Sequence, residues 1–296
     1  MILCRGPLRP GVRTDPARNP ARMLSPETTV LITGAAGQLA GACAERLAGV
    51  CRVEALDHRA LDITSSSAVL QALERLRPAL VLNCAAYNDV DGAESNAAAA
   101  RAVDATLVHY STDFVFDPQR DQGLLAEHDP VRPRGVYAQS KLLGEIYARE
   151  APRHYVLRVA SLFGASKGKS SVDKLALAIR RGEQVRAFAD RTVTPSYVYD
   201  VADATLAVVE RRLPVGVYHC VNSGATTWVE IARTLARLLG VDPDRAVEGV
   251  PFASLVAPAP RPQFPTLSNA RLAAAGVVLP PWQDALARAV ARMPLA

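Results

Sequence analysis

A tyrosine four residues ahead of a lysine, Tyr137-x-x-x-Lys141, carries a specific chemistry when both lie on one helix, because residues four apart share a face. An ammonium beside a phenol favours the phenolate and lowers the tyrosine pKa toward working pH, so that Tyr137 can pass a proton to a carbonyl oxygen. Ser111-Thr112-Asp113 ends an upstream apolar run, where Thr112 can hold the same oxygen and Asp113 can position the loop. A third constellation, Gly34-Ala-Ala-Gly37-Gln38-Leu39-Ala40, has the spacing of a turn that lets backbone approach a pyrophosphate at a helix N-terminus. Its last position needs only a small residue, which Ala40 supplies. Asp57 closes the next apolar run, where a carboxylate can hold ribose hydroxyls. His58 and Arg59 follow it and can meet a 2′-phosphate, so NADPH and NADH both stand as the cofactor.

These residues need a scaffold that brings loop ends together. Residues 30–33 form a short β-type run, Gly34 turns the chain, and a helical pattern follows through Leu39, Cys43 and Leu47. Further apolar runs at 53–56, 80–82, 107–110 and 155–159 alternate with helical stretches at 68–76 and 142–148. That alternation predicts βαβ units and an α/β fold, a Rossmann-like doubly wound parallel sheet covered on both faces. Beyond Ser161 the alternation loosens, which predicts a smaller C-terminal substrate-binding lobe over 161–296 after a dinucleotide-binding domain over 29–160, with some of the lobe's strands and helices returning to that domain. Within the lobe, Asp200 introduces a helix from about Val201, and a Thr227-x-x-Glu230 capping box opens another that Gly240 stops. Residues 250–265 read as irregular loop.

Composition narrows the function classes. The chain has 296 residues, 49% of them apolar and 21% charged, an ordinary globular balance. Of its net charge of +5, +4 sits in residues 1–22, where five arginines face Asp15 alone. The near-neutral remainder argues against a nucleic-acid footprint. That leader holds Pro7, Pro10, Pro16 and Pro20 and has no apolar core of a signal, so a disordered extension is expected over 1–28, with Met23 as an alternative start. No apolar run approaches the ~18–20 residues of a membrane span. Five scattered cysteines without C-x-x-C spacing suggest neither a disulfide framework nor a metal site, and a reducing cytoplasm is the simplest location. His109, beside the strand end, is expected to be a satisfied core histidine, and Trp228 and Trp282 suit packing.

The ordered motifs resemble an extended short-chain dehydrogenase/reductase, and within that group the chain is most similar to dTDP-4-dehydrorhamnose reductases. The resemblance rests on Leu61-Asp62-Ile63, Asn83-Cys84-Ala85-Ala86-Tyr87, Val90-Asp91-x-Ala93-Glu94, Ser111-Thr112-Asp113-Phe114-Val115-Phe116, Tyr137-x-x-x-Lys141-x-x-Gly144-Glu145, Gly216-Val217-Tyr218-His219 before Thr226-Thr227-Trp228, and Arg261-Pro262. It runs from about Val30 to Arg292. It implies Thr112, Asp113, Tyr137 and Lys141 as catalytic residues. It implies cofactor contacts from Gly34, Gly37, Gln38, Leu39, Asp57, Asp62, Ile63, Ala85, Ala86, Tyr87, Asn88, Tyr137 and Lys141. Substrate contacts are implied for Thr112, Leu162, Trp228 and Arg261. Related dehydratases carry Glu after the Thr-Asp pair; Phe114 stands there, so reduction of a 4-keto nucleotide sugar is implied rather than dehydration. A nucleotide sugar is the implied partner, and a homodimer the candidate assembly.

The chain departs from the family at Asn88 (usually Thr), at Leu162 (often aromatic), at Ser170-Ser171 (usually Asn-Phe) and between Ala102 and Thr106, where about 15 residues are missing. A crossover that short threatens the register of the strand carrying Thr112, and a non-catalytic dinucleotide- or sugar-nucleotide-binding subunit is the alternative function.

Overall fold

The computed structural model describes residues 23–85, 105–117, 123–164, 170–254 and 261–293. At its centre six parallel strands, β1 (Thr29–Thr33), β2 (Arg52–Leu56), β3 (Leu80–Asn83), β4 (Thr106–Thr112), β5 (His154–Val159) and β6 (Gly216–His219), lie in the order 2-1-3-4-5-6. Alternate residues of each strand face opposite ways. Val30, Ile32, Leu80, Leu82 and Val108 belong to one core, with α1 (Gln38–Leu47) and α5 (Val198–Glu210). Leu31, Val81, Leu107 and Val156 belong to the other, with α2 (Ser66–Leu76) and the end of α3 (Val136–Ala148). Burial on both faces is why these strands read as unbroken apolar runs.

The strand carrying Thr112 is in register: Leu80 pairs with Thr106 and Asn83 with His109. The shortened crossover itself lies in residues 86–104, outside the described residues, as do the expected contacts Ala86, Tyr87 and Asn88.

β6 and α5, drawn from the C-terminal segment, join the main sheet and its helical layer. The rest of that segment contributes α4 (Ser171–Arg180), the strands Val185–Phe188 and Val247–Val250 paired in parallel, α6 (Trp228–Leu238) and α7 (Trp282–Ala291). Ser170, one of the departures from the family, caps α4: its hydroxyl accepts from the Asp173 amide at 3.0 Å while the Asp173 carboxylate accepts from the Ser170 amide at 3.0 Å.

Three expectations need correction. The leader does not extend to residue 28: Leu24 is 5% exposed and its amide donates to Glu210 Oε1 at 3.0 Å, fixing this stretch to α5. Asp200 does not introduce α5, which begins at Val198; its carboxylate is engaged by Arg288 at 2.7 Å and by Asn222 at 2.6 Å. At α6 the Thr227 hydroxyl does accept from the Glu230 amide, but the Glu230 carboxylate goes to Arg237 instead of closing the box. Trp282 packs in the core, as expected.

Candidate active site

In an open parallel sheet, ligands lie outside the carboxyl ends of the strands, where the strand order reverses. Here that point falls between β1 and β3. Gly34 ends β1 with φ +67°, and a Cβ there would stand 2.7 Å from the Ala85 backbone beyond β3. The Ala35 amide donates to the Leu56 carbonyl at 3.1 Å, and the Gly37 amide to Gly34 O at 2.8 Å, shaping the turn. Gly37 caps α1 without a side-chain bond, and the first turn of α1 contains no acid to compete for its free amides. Gln38, at the start of α1, keeps a buried Oε1 without a partner. This cradle fits a dinucleotide pyrophosphate. Leu39 is buried in the core, so its side chain anchors the turn from below. Asp57, at the tip of β2, accepts from the Arg59 and Ala60 amides at 3.0 and 3.1 Å, which lowers its pKa. Asp62 does the same with Thr64, while Ile63 packs half-buried against the second core.

The proton-handling residues gather at the end of β4. Thr112 Oγ1 donates to Asp113 Oδ1 at 2.9 Å and accepts from the Phe114 amide at 3.3 Å. Tyr137 comes from the first turn of α3, and the Thr112 side chain acts to lower its pKa. Phe114 meets the Tyr137 ring edge-on, with centroids 5.9 Å apart, and so orients the phenol. Tyr137 is 41% exposed, whereas Lys141, one turn on, is buried.

Buried ties hold α3 to the sheet. Glu145 Oε1 accepts from Ser111 Oγ at 2.6 Å and from Arg158 Nε at 2.9 Å, and Oε2 accepts from Arg158 at 2.8 Å. A Cβ at Gly144 would stand 2.8 Å from His109 Nε2, so this helix position must be glycine for α3 to seat against β4. His109 Nδ1 lies 3.2 Å from Asn83 Nδ2, and Asn83 Oδ1 accepts from Thr33 Oγ1 at 2.8 Å, but His109 Nε2 has no partner. The expectation of a satisfied core histidine therefore holds at one nitrogen. Burial, with the Lys141 charge, pushes the His109 pKa well down and keeps the ring neutral.

Burial raises the Tyr137 pKa and the Asp113 charge adds to it, against the Thr112 side chain. Lys141 itself is lowered by burial to about 8, opposed by Glu145. Asp113 is raised by burial to about 6, opposed by its Thr112 bond and by Arg191. Tyr137 therefore rests as a protonated phenol, the form that can give a proton.

A cleft of about 410 Å³ in the C-terminal segment is lined, among the described residues, by Ser171, Lys174, Arg186, Arg191, Trp228 and Arg261 among others, and by no acid. Trp228 Nε1 is buried without a partner there. Of the expected substrate residues, Trp228 and Arg261 reach this cleft. Thr112 and Leu162 are not among its described lining residues: Thr112 ends β4, and Leu162 pairs with Ser196 and packs against the core. Lys174 and Arg191 were not singled out from the sequence.

With this geometry in view, the RmlD substrate binding domain model matches residues 28–294. The chain belongs to that family. Among its relatives, a probable dTDP-4,6-dihydroxy-2-methyloxan-3-one 4-ketoreductase of Streptomyces antibioticus is 38% identical over 88% of this chain and 93% of its own length. A dTDP-4-dehydrorhamnose reductase of Mycobacterium tuberculosis is 36% identical over 88% and 92%. Of solved structures, the dTDP-4-dehydrorhamnose reductase of Bacillus anthracis in complex with NADP superposes with a TM-score of 0.83 at 29% identity, covering 90% of this chain and all of that one. The extended short-chain dehydrogenase/reductase fold is thereby established for this chain, as the motif order implied.

Proposed function

We propose that this chain reduces the C4 ketone of a dTDP-activated deoxysugar, converting dTDP-4-dehydro-L-rhamnose to dTDP-L-rhamnose with NADPH or NADH. The observation that carries the reading is the seating of α3 against β4 by the Phe114–Tyr137 ring contact and the buried Ser111–Glu145–Arg158 bonds, which sets Tyr137 and Lys141 at the end of the strand that carries Thr112. Gly34, Gly37 and the first amides of α1 would hold the pyrophosphate, and Lys141 the nicotinamide ribose. When bound, the dinucleotide supplies the hydride to C4. Tyr137 donates its hydroxyl proton to the ketone oxygen, the C4 alcohol forms, and the Lys141 ammonium offsets the phenolate left behind. Thr112 orients the ketone beside Tyr137. Lys174, Arg191 and Arg261 suit the diphosphate, to which arginine forks bond in pairs, and Trp228 presents an indole N–H and a flat face. On this reading the partners are the dinucleotide and a nucleotide sugar, the setting is cytoplasmic, and a homodimer is the assembly to test by sedimentation. Among the described residues no helix is long and apolar enough to cross a membrane.

The test is oxidation of NADPH and NADH with a panel of 4-keto nucleotide sugars, the products identified by mass spectrometry. Turnover of the dTDP-4-keto sugar supports the reading. Tight dinucleotide binding without turnover of any member overturns it in favour of a non-catalytic binding subunit.

A further inference from the structure

On the reduction reading, hydride and proton reach one ketone from two elements: the hydride from a dinucleotide held at the Gly34 turn, the proton from α3. Their separation is set by whatever touches both. Thr33, Asn83 and His109 are register partners across β1, β3 and β4, so their side chains lie in a row on the face of the sheet that α3 covers. Thr33 directly precedes Gly34, and Asn83 lies two residues before Ala85, whose backbone crowds Gly34. The row is hydrogen-bonded. Thr33 Oγ1 donates to Asn83 Oδ1 at 2.8 Å, and Asn83 Nδ2, which can only donate, meets His109 Nδ1 at 3.2 Å. Nδ1 therefore accepts, and the neutral ring carries its proton on Nε2, at its far edge. That edge lies under α3: a Cβ on Gly144 would stand 2.8 Å from Nε2 and 2.9 Å from Cε1. Among the described residues Nε2 has no hydrogen-bond partner, although His109 is only 6% exposed. A leucine or phenylalanine would fill this place without burying an unpaired donor, so packing alone does not account for a histidine here; the bond to Asn83 does.

We propose that His109 is a positioning residue of the reduction: held by Asn83 and Thr33, its ring sets the height of α3 over the sheet, and so the distance of Lys141 and Tyr137 from the dinucleotide turn. This rests on the reduction reading above. The buried residues Ser140, Lys141, Gly144, Glu145 and Ala148 form the stripe of α3 that faces the sheet. On it, Lys141 lies three residues before Gly144 and Tyr137 seven, about 4.5 and 10 Å along the axis at ~1.5 Å per residue, so both ride on the seat. Glu145, bonded to Ser111 and Arg158, ties the helix toward β5. The His109 ring, backed by Asn83 of β3, supports it on the side of the cradle. Ordinary carbon contacts lie at about 3.5–4.0 Å, so a methyl at position 144 would lift the helix by roughly 1 Å. A misplacement of ~1 Å can cost about 10²-fold in rate.

The experiment exchanges volume between ring and helix in the full chain. His109→Asn keeps an acceptor for Asn83 near the place of Nδ1 and removes the half of the ring beneath Gly144, while Gly144→Ala adds a methyl to that space. The single-turnover rate with the dTDP-4-keto sugar, NADPH affinity by fluorescence titration and melting temperature are read for each single variant and for the pair. Gly144→Ala should lower the rate by about 10²-fold and His109→Asn by about tenfold, with NADPH affinity changed far less, since the Gly34 turn is untouched. The pair should be at least about tenfold faster than Gly144→Ala, because the methyl then takes the vacated place. A role in packing alone lowers the melting temperature and leaves the rate of the folded enzyme in place. An unchanged rate in His109→Asn therefore overturns the proposal, and does so even where Gly144→Ala fails to fold. A pair no faster than Gly144→Ala overturns it as well. Absence of turnover by wild type with every 4-keto nucleotide sugar is the failure of the reduction reading, and the proposal falls with it.

Discussion

Replacing Glu145 by Gln should both loosen the fold and impair the proton chemistry. Glu145 is 0% exposed and Arg158 1%, and two bonds of 2.9 and 2.8 Å join them. Glutamine keeps one acceptor oxygen but turns an NH₂ group toward the Arg158 donors and leaves the arginine charge buried alone. Breaking a buried pair from one side costs about 3–5 kcal/mol, a large share of the ~5–15 kcal/mol that holds most domains folded. At about 2–4 °C per kcal/mol for a chain of this size, the melting temperature should fall by roughly 6–20 °C. Glu145 also raises the Lys141 pKa against burial, so its removal lets that pKa fall below about 8. Fewer enzyme molecules then carry the ammonium at pH 7.5. The alkaline limb of kcat/KM should move to lower pH, which a merely structural loss does not produce. Removing both charges, as Glu145→Leu with Arg158→Met, should recover much of the stability. A melting temperature within 2 °C of wild type together with an unmoved alkaline limb would refute the reasoning.

Tyr137→Phe should lower kcat by about 10²–10⁴ with little change in NADPH affinity, because only the donated proton is lost; an unchanged kcat in a reaction limited by chemistry removes Tyr137 from the mechanism. Lys141→Met should abolish turnover yet stabilise the fold at pH 7. The native lysine pKa lies near 8, below its ordinary 10.5, so the unfolded chain binds more protons between those values, and wild-type stability should rise from pH 8 to 10.5 while the variant's does not; lower stability of the variant at pH 7 contradicts this. Gly34→Ala places a Cβ 2.7 Å from the Ala85 backbone at a φ that costs about 1–2 kcal/mol for an L-residue, and NADPH fluorescence titration should show at least a tenfold loss of affinity. Deleting residues 1–22 should leave the melting temperature unchanged, whereas deleting 1–28 removes the buried Leu24 and the first turn onto β1, a loss of at least about 1.5–3 kcal/mol readable by denaturant unfolding.

Interior strand positions were legible because a parallel strand buried on both faces must be apolar throughout, and the runs at 80–82 and 155–159 differ from β3 and β5 by a residue at one end; the run at 53–56 also falls on β2, an edge strand that contains Arg52 and Glu54 and is not fully buried. The discrepancies gather at the site. β4 extends through Ser111 and Thr112, polar residues that apolar patterning stops short of and that are buried because Glu145 and Asp113 satisfy them. α3 begins at Val136, where the Tyr137-x-x-x-Lys141 spacing put its start and six residues before the apolar pattern does, because its first turns carry the exposed Tyr137 and the buried polar Ser140 and Lys141. Asp200 misled because a carboxylate at a helix start is a normal cap, while its actual partners, Asn222 and Arg288, lie far along the chain.

The cationic cleft was invisible for an electrostatic reason. Lys174 and Arg191 each follow an aspartate, Asp173 and Asp190, so any count of charge along the chain cancels them. Folding separates what the sequence pairs. The Asp173 carboxylate turns back to the Gly164 and Ser170 amides at 3.1 and 3.0 Å, and Asp190 turns to Phe252 and Gln263. Each acid is satisfied by backbone or amide donors, which carry no net charge, and the neighbouring cation is left facing the cleft. The near-neutral body therefore conceals a concentrated positive site, suited to a small dianion at one place rather than to a polyanion along a surface. Local capping and loop geometry create that site: the bonds that fix the start of α4 and the turn after Val185–Phe188 are the same bonds that remove the acids from it.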